Sequence, residues 1–444
     1  MTSIFFASVC VISVFSILLS IYVHKPEYPP LEVDQDDYWR SDDPTQDDDR
    51  IYPFTIDIPD TKISEFKSKL KTERFYNNRK NDATYDSYFK NLSNVILDFD
   101  WKSHQNFLNT FKQYKTQIEG LDIHFLRIST EPVSKKVRVV PLLMVHGFPG
   151  SFWDFYKIIP ILSNPTRHGF DFGVNEVIQF DVIVPSLPGF LFSEKPEKLN
   201  FTPISIARIL GKLMKRLDVN DGYFVHGSEG FGADIATVIA SLYPERVMGL
   251  QLSNPFVRPT FSTLTLARYL WRGFRDRDNA ENSLPMTDIS QYFSDDKFSY
   301  AQNADTYATA FFNSPAGAIK YMESQWRQLS SFSSTKNLHQ LFTLDEIATE
   351  IYLYWLTDSL PSALIFLANS YDSQSPWHHA QVRIPTGISY SLDAPWRCHR
   401  TILDDKYLNI TRLVELPKGG MFHHLQDGHS IAKEIFEFVE IQLL

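Results

Sequence analysis

The chain has 444 residues, which is long enough to bury a substantial core. Its formal net charge of -10 argues against binding to nucleic acid, because contacts with phosphates need a basic surface. Its two cysteines, Cys10 and Cys398, exclude a framework of disulfides. Histidine, cysteine and carboxylate residues nowhere have the spacing of metal ligands, so neither a metal nor a cofactor is predicted.

The N-terminus carries an uncharged apolar run from Ile4 to Val23, IFFASVCVISVFSILLSIYV. Its length matches a helix that spans the roughly 30 Å hydrocarbon layer of a bilayer. The run therefore predicts a membrane anchor at residues 1–24. A cleaved signal peptide is the alternative, but no basic segment precedes the run and no small-residue cleavage site precedes His24. Lys25 follows the run and favours a body on the cytoplasmic side.

Residues 25–50 are rich in proline and acidic residues, which predicts a linker or a surface strap that is too polar to be buried. In the next segment Ile63, Phe66 and Leu70 have helical spacing, and a second helix is expected from about Trp101 to Tyr114. The alternation in the following IEGLDIHFLRI predicts a strand at the edge of a sheet.

Short apolar runs then follow, each closed by glycine, proline or a polar turn and separated by helical segments, as in the buried strands of a mostly parallel sheet. The runs are PLLMVHGFPG, FDVIVPSLPG, YFVHGSEG, VMGLQLSN, VRIPTGISYS and ITRLVELPKGG. They predict an α/β core formed by residues 131–255 and 379–444. Residues 256–378 are aromatic-rich and mainly helical, so we expect a lid over the carboxyl ends of the strands, where open α/β sheets bind ligands.

Several ordered segments link the chain to a known family, among them YPFTIDIPD, IEGLDIHF, LLMVHGFPGSFWDFYKIIPIL, PSLPGFLFSE and PTGIS. Through them the chain resembles the microsomal epoxide hydrolases, including the juvenile-hormone-type enzymes. The resemblance implies an α/β-hydrolase fold with a helical lid, preceded by an anchor helix and by an epoxide-hydrolase-type N-terminal region at residues 51–130. It also implies a location at the endoplasmic reticulum membrane.

In that family an aspartate on a sharp turn between strand and helix opens the epoxide, and a histidine held by an acid activates the water that hydrolyses the resulting ester. Two tyrosines of the lid donate hydrogen bonds to the epoxide oxygen, and backbone N–H groups stabilise the oxyanion. By resemblance, the loop of His146, Gly147, Phe148 and Pro149, together with Phe231, retains this oxyanion element.

The remaining family positions are occupied by residues that cannot perform the family's chemistry. The family's G-G-D-W-G turn aligns with SEGFG, so Gly230 takes the place of the nucleophile, and Met421 takes the place of the base. Ala394 takes the place of the acid, and Phe298 and Leu367 take the places of the lid tyrosines. None of these side chains can attack, exchange a proton or donate a hydrogen bond.

Two interpretations stay open. Under the first, the chain is an inactive member of the family that keeps an apolar, lidded pocket for a lipophilic ligand or partner. Under the second, it is an active hydrolase, either an epoxide hydrolase or an esterase, with a relocated nucleophile. That nucleophile is Ser228 or Glu229, acting with Asp393 and His423, after a shift of one or two residues in the alignment.

Overall fold

The computed structural model describes residues 28, 30–31, 33, 37–74, 83–131, 137–170, 177–198, 200–219, 221–228, 230–257, 303–330, 338–370, 376–392, 394, 398 and 400–443, with the backbone alone at 83–86, 339 and 401. The predicted anchor lies outside these residues, as do Glu229, Phe298 and Asp393. In the part of the chain that the structure describes, we find no individual helix with the length and apolar character needed to cross a bilayer.

A nine-stranded sheet forms the centre of the protein, in the order β1-β2-β3-β5-β4-β6-β7-β8-β9. Strands β5, β4, β6, β7, β8 and β9 run parallel, and β1, β2 and β3 extend the sheet in antiparallel fashion beyond β5. The strands are β1 (Tyr52–Phe54), β2 (Gln113–Ile118), β3 (Leu121–Ile128), β4 (Val137–Val145), β5 (Val177–Pro185), β6 (Tyr223–Gly227), β7 (Val247–Ser253), β8 (Thr386–Ser391) and β9 (Ile410–Leu416).

Helices cover both faces of this sheet, and others stand above it. They are α1 (Asp60–Thr72), α2 (Ala83–Asp98), α3 (Trp101–Leu108), α4 (Ile159–Ser163), α5 (Pro203–Arg216), α6 (Phe231–Leu242), α7 (Ala304–Asn313), α8 (Pro315–Ser330), α9 (Leu344–Leu356), α10 (Ser359–Ser370), α11 (Arg400–Lys406), α12 (His423–Gln426) and α13 (Gly428–Leu443). Every residue of β6 is buried, because α6 packs on one face of the sheet and α13 on the other. The predicted α/β core is therefore confirmed.

Two predictions for the N-terminal region are wrong. The IEGLDIHFLRI segment forms β3 in the interior of the sheet, between β2 and β5, because the three-residue β1 pairs with β2 and takes the edge. The predicted second helix ends at Leu108, and Tyr114 lies in β2. The helix ends there because the side chain of Asn109 exchanges two hydrogen bonds with the backbone of Ile56, at 2.8 and 2.9 Å, and holds the chain outside the helix.

The acidic segment is more firmly attached than its composition predicts. Tyr38 and Trp39 are buried, so the prediction that residues 25–50 are too polar to be buried is wrong at these two positions. The indole N–H of Trp39 donates to Glu119 Oε2 at 2.8 Å, and the guanidinium of Arg208 pairs with the same buried carboxylate at 2.6 Å. The segment therefore packs as a strap across the β2–β3 turn and α5.

Helices α7 to α10 form the lid, which is bonded to loops at the carboxyl ends of the strands. The indole N–H of Trp326 in α8 donates to the Pro149 carbonyl after β4 at 2.7 Å. The hydroxyl of Ser362 in α10 donates to the Gly189 carbonyl after β5 at 2.6 Å. These bonds place the lid above the elbow that follows β6.

Candidate active site

The elbow is the turn that joins β6 to α6. Gly230 is the residue immediately before α6 and has φ 55° and ψ -108°, a conformation that residues with a side chain adopt only at a cost. Its backbone is partly exposed, whereas Ser228 on the other side of the turn is fully buried. Gly230 is thus the residue at the apex of the elbow.

Close packing on both sides of the apex requires small residues. A Cβ atom on Gly227 would lie 2.6 Å from the Cβ of Ala236, and a Cβ atom on Gly232 would lie 2.6 Å from the carbonyl oxygen of Val145. Real Cβ atoms do not approach other atoms this closely, so α6 reaches the sheet only because both positions are glycine. Gly232 stands two residues after the apex, as the last glycine of the G-G-D-W-G pattern does.

The apex faces Met421. A Cβ atom on Gly230 would meet, among the described residues, only the Cε of Met421 within 4 Å, at 3.9 Å. Met421 is itself buried, with 1% of its surface exposed. A side chain at the apex would therefore have room, and its nearest neighbour would be a thioether.

Three hydrogen bonds fix the loop that carries Met421. Its backbone N–H donates to the Leu329 carbonyl of α8 at 2.9 Å. The N–H of Gly420 donates to Ser391 Oγ at 3.0 Å, and its carbonyl accepts from Asn254 Nδ2 at 2.7 Å. The loop is thereby tied to the lid and to the ends of β7 and β8.

The loop after β4 keeps the composition of an oxyanion loop. The imidazole of His146 is buried, its Nδ1–H donates to the Gly147 carbonyl at 2.9 Å, and its Nε2 accepts from the backbone N–H of Leu187 at 3.1 Å. Burial lowers the pKa of His146 to about 4, so its ring is neutral and links the loops after β4 and β5. The ring of Phe148 packs edge-on against Tyr354 of the lid, with centroids 5.9 Å apart.

Aromatic rings surround the first residue of α6. Phe231 packs against Phe366 of α10 with centroids 5.1 Å apart, and against Phe190 of the loop after β5 at 6.3 Å. Leu367, the next residue of α10, is also buried. The elbow and the lid therefore meet through apolar surface.

Two members of the proposed relocated set, Ser228 and His423, lie among the described residues, and both are buried. Ser228 is fully buried, and its hydroxyl has no hydrogen-bond partner among the described residues. A serine nucleophile needs a base within hydrogen-bond reach. His423 is buried at the start of α12, and its ring lies against Gly419, whose added Cβ would come within 2.7 Å of the Nε2 of this histidine. Ala394 is buried too, and its N–H donates to the Ser391 carbonyl at 3.1 Å.

A pair of buried histidines was missed by the sequence analysis. Nε2 of His226 in β6 lies 2.6 Å from Nε2 of His424 in α12. Nδ1 of His226 bonds to Gln251 Oε1, and the Gln251 amide N–H donates to Ser389 Oγ at 2.9 Å. Since the carbonyl of Gln251 faces His226, Nδ1 of His226 carries the hydrogen, its Nε2 accepts, and Nε2–H of His424 donates. The one signal in the sequence was a histidine inside the apolar run YFVHG.

Both histidines are neutral. Burial lowers the pKa of His424 to about 3, and burial, followed by the proximity of His424, lowers the pKa of His226 well below its ordinary value. This pair and the facing residues Gly230 and Met421 share the same two segments, the end of β6 and the loop before α12. The histidines thus support the elbow from the face of the sheet that α13 covers.

A shallow, partly open depression lies between the lid helices. Its walls include Phe311, Met322, Leu360 and Tyr354, and the hydroxyl of Tyr354 donates to the Gly150 carbonyl at 2.7 Å. The depression therefore borders a residue that is bonded to the loop after β4. Across the described residues, no three or more His, Cys, Asp or Glu side chains are grouped to hold a metal ion.

The sheet order, the elbow after β6 and the helical insertion between β7 and β8 define the chain as an α/β hydrolase. A family model described as the alpha/beta hydrolase fold matches residues 140–385, and one described as the epoxide hydrolase N terminus matches residues 51–155. The chain belongs to the family of the microsomal and juvenile hormone epoxide hydrolases.

Two curated relatives are similar to this chain in sequence, and one solved structure shares its fold. The chain is 32% identical over 420 residues to epoxide hydrolase 1 of Oryctolagus cuniculus, covering 88% of this chain and 89% of that protein. It is 28% identical over 455 residues to juvenile hormone epoxide hydrolase 1 of Ctenocephalides felis, covering 96% and 94%. The crystal structure of juvenile hormone epoxide hydrolase from the silkworm Bombyx mori superposes with a TM-score of 0.81 at 24% identity, covering 92% of this chain and 99% of that one.

Proposed function

We propose that this family member has lost epoxide hydrolysis and binds a lipophilic small molecule beneath its lid. The observation that carries the proposal is that Met421 faces Gly230, because a Cβ atom built on Gly230 would lie 3.9 Å from the thioether methyl. By family resemblance these are the positions of the nucleophile and the base. A hydrogen atom cannot attack an epoxide, and a thioether cannot take a proton from water.

The replacements are consistent as a set. Removing one member of a buried charged network leaves an unpaired charge, which costs about 3–5 kcal/mol. Replacing every member by an apolar group of suitable size avoids that cost. Gly230, Ala394, Leu367 and Met421, with Phe298 outside the described residues, make such an apolar set at the family positions.

The surroundings favour a lipophilic ligand over a polar one. Phe190, Phe231 and Phe366 pack around the elbow, and the depression between the lid helices is lined mainly by apolar side chains. Apolar pockets with few polar groups bind ligands through the hydrophobic effect. We expect the ligand to share the apolar character of the family's epoxide substrates without being consumed.

A relocated catalytic set has less support. Ser228 is buried and contacts no base among the described residues, while Glu229 and Asp393 lie outside them. The apex position that a nucleophile needs is held by Gly230. An active hydrolase with Ser228 or Glu229 as the nucleophile is therefore the weaker interpretation.

The proposal extends to location. The apolar run from Ile4 to Val23 would anchor the chain in the membrane, with Lys25 and the body on the cytoplasmic side of the endoplasmic reticulum. To test the location separately, the full chain is inserted into microsomes and protease is added outside. A body on the cytoplasmic side is digested, whereas a body on the other side is protected.

Turnover and binding of one compound test the function. Purified full-length protein is incubated with cis-stilbene oxide, and the diol is measured by chromatography, with epoxide hydrolase 1 of Oryctolagus cuniculus as the active reference. We expect no diol above the rate without protein, and saturable quenching of tryptophan fluorescence by the compound. If diol forms and Glu229→Gln or Ser228→Ala abolishes it, the proposal that hydrolysis has been lost is wrong. If the quenching is not saturable, the proposal that the protein binds such a ligand is wrong.

A further inference from the structure

The loop between β5 and α5 is bonded to the acidic strap. This loop comprises residues 186–202, and we call it the β5–α5 loop. Nε and Nη2 of Arg40 in the strap both donate to Glu194 Oε1, at 3.0 and 2.7 Å. The backbone N–H of Glu197 donates to the Trp39 carbonyl at 2.9 Å. Two neighbouring residues of the strap therefore hold the loop at two points.

The β5–α5 loop also holds the lid helix α10. Its Gly189 carbonyl accepts a hydrogen bond from Ser362 Oγ at 2.6 Å. Its Lys195 Nζ donates to the carbonyl of Asp358, the residue before α10, at 2.6 Å. Because the strap and the start of α10 bond to the same loop, a displacement of the strap reaches α10 through one short element.

A row of buried aromatic rings runs from the strap to the elbow through this loop. The ring of Trp39 meets that of Phe201 edge-on, with centroids 4.7 Å apart at an angle of 88°. Phe201 packs against Phe366 of α10 at 5.6 Å, and Phe366 packs against Phe231 at the start of α6 at 5.1 Å. None of the four residues is more than 7% exposed. Close-packed side chains transmit displacements to their neighbours, so the position of Trp39 sets that of Phe366.

The turn between β2 and β3 fixes Trp39 at the far end of this row. The backbone N–H of Trp39 donates to the Glu119 carbonyl at 3.0 Å, and its indole N–H donates to the carboxylate of the same residue. That carboxylate is buried and also pairs with the guanidinium of Arg208. Loss of a partner from a buried carboxylate is costly, so these bonds hold the ring of Trp39 in one orientation.

The neighbouring lid helix α9 is fixed to the body by contacts that do not include the strap. Glu350 Oε1 accepts a hydrogen bond from Ser151 Oγ, in the loop after β4, at 2.6 Å. The ring of Tyr352 stacks on Trp101 of α3, with centroids 5.5 Å apart and an angle of 9°. We therefore expect α9 and α10 to respond differently when the strap is released.

We propose that the strap is the latch of the lid. While its bonds to the β5–α5 loop are intact, α10 stays closed over the elbow, and their loss lets α10 move while α9 remains in place. Local opening of this kind costs less free energy than unfolding of the whole protein, so a few contacts can control it. Helix α10 carries Leu367, which by family resemblance takes the place of a lid tyrosine. Access of a ligand to the elbow then depends on the strap, a consequence that rests on the proposed function.

Hydrogen–deuterium exchange of the full-length protein, read by mass spectrometry, tests the latch. Trp39→Leu removes the first ring of the row. Arg40→Ala removes the ion pair with Glu194, which is partly exposed, so that core packing is unaffected. Trp101→Leu is the matched control, because it removes another buried tryptophan, one that stacks on α9. The measurement needs no ligand, so it decides the latch even if the protein binds none.

In Trp39→Leu we expect the amides of α10 to exchange about fivefold faster than in the wild type, or more, and those of α9 to change little. Arg40→Ala should give the same pattern, and it decides the outcome if Trp39→Leu does not fold. In Trp101→Leu the order should reverse, with the larger acceleration in α9. Unchanged exchange of α10 in every strap variant that folds would overturn the proposal. Equal acceleration of α9 and α10 in Trp39→Leu would overturn it too, because the change would then be a general loss of stability.

Discussion

Nε2 of His226 and Nε2 of His424 lie 2.6 Å apart, and this contact joins the strand before the elbow to the segment that follows Met421. The two residues are separated by 198 positions in the sequence. Because Gln251 fixes the hydrogen on Nδ1 of His226, the pair has one arrangement of donor and acceptor. The two segments that bring Met421 opposite Gly230 are therefore joined by a buried polar hydrogen bond.

We expect His226→Phe and His424→Phe each to lower the free energy of unfolding by about 1–3 kcal/mol, because each change removes the partner of a buried ring nitrogen. The double variant should lose less stability than the sum of the two single variants, because it leaves no buried Nε2 atom without its hydrogen-bond partner. Urea unfolding of the four proteins measures this coupling. Strictly additive losses would contradict a direct bond between the rings.

The stability of the protein should also depend on pH through its buried histidines. Burial lowers the pKa of His146 to about 4 and that of His424 to about 3. In the unfolded chain both return to about 6.5. Below about pH 6.5 the unfolded chain therefore binds protons that the folded protein does not bind, so stability is full above this pH and falls as the pH drops towards 4.

Each of these histidines should account for up to about 2 kcal/mol of the loss between pH 6.5 and 5. The free energy of unfolding, measured near neutral pH and again at about pH 5, gives the size of the change. In His424→Phe the change should shrink by that amount. An unaltered pH dependence in His424→Phe would contradict the assignment.

Alanine at two neighbouring glycines should have different effects. In Gly232→Ala the new Cβ would lie 2.6 Å from the Val145 carbonyl, so we expect a loss of about 3 kcal/mol or more. In Gly230→Ala the new Cβ has room, and we expect only the cost of an unfavourable backbone conformation, about 1–3 kcal/mol. Thermal or urea unfolding compares the two. Equal losses would mean that Gly230 does not face open space.

The sequence predicted the strands of the parallel core well, because buried strands leave short apolar runs with clear turns between them. It also pointed to Gly230 and Met421, since the small residues that an elbow requires limit how its pattern can be aligned. The edge position of β3 was predicted wrongly because β1 has only three residues and carries no pattern of its own. Burial of Trp39 was missed because its partner, Glu119, lies far away in the sequence.

The histidine pair could not be predicted for the same reason. A single polar residue in an apolar strand signals a buried hydrogen bond, but it does not identify the partner. Likewise, the alternative nucleophile Ser228 could be weighed only once its burial and its lack of a base among the described residues were known. Contacts between distant segments come from the tertiary fold, and local patterns do not encode them.

Intact-protein mass spectrometry after exposure to excess cis-stilbene oxide tests the loss of the attacking group most directly. With Met421 in the place of the base, an ester formed when Glu229 opens the epoxide would be hydrolysed slowly, and the ether that Ser228 would form cannot be released by hydrolysis, so either adduct would accumulate on the protein. We predict that the mass stays that of the unmodified chain. An added mass of one epoxide, mapped by peptide sequencing to Ser228 or Glu229, would contradict the account.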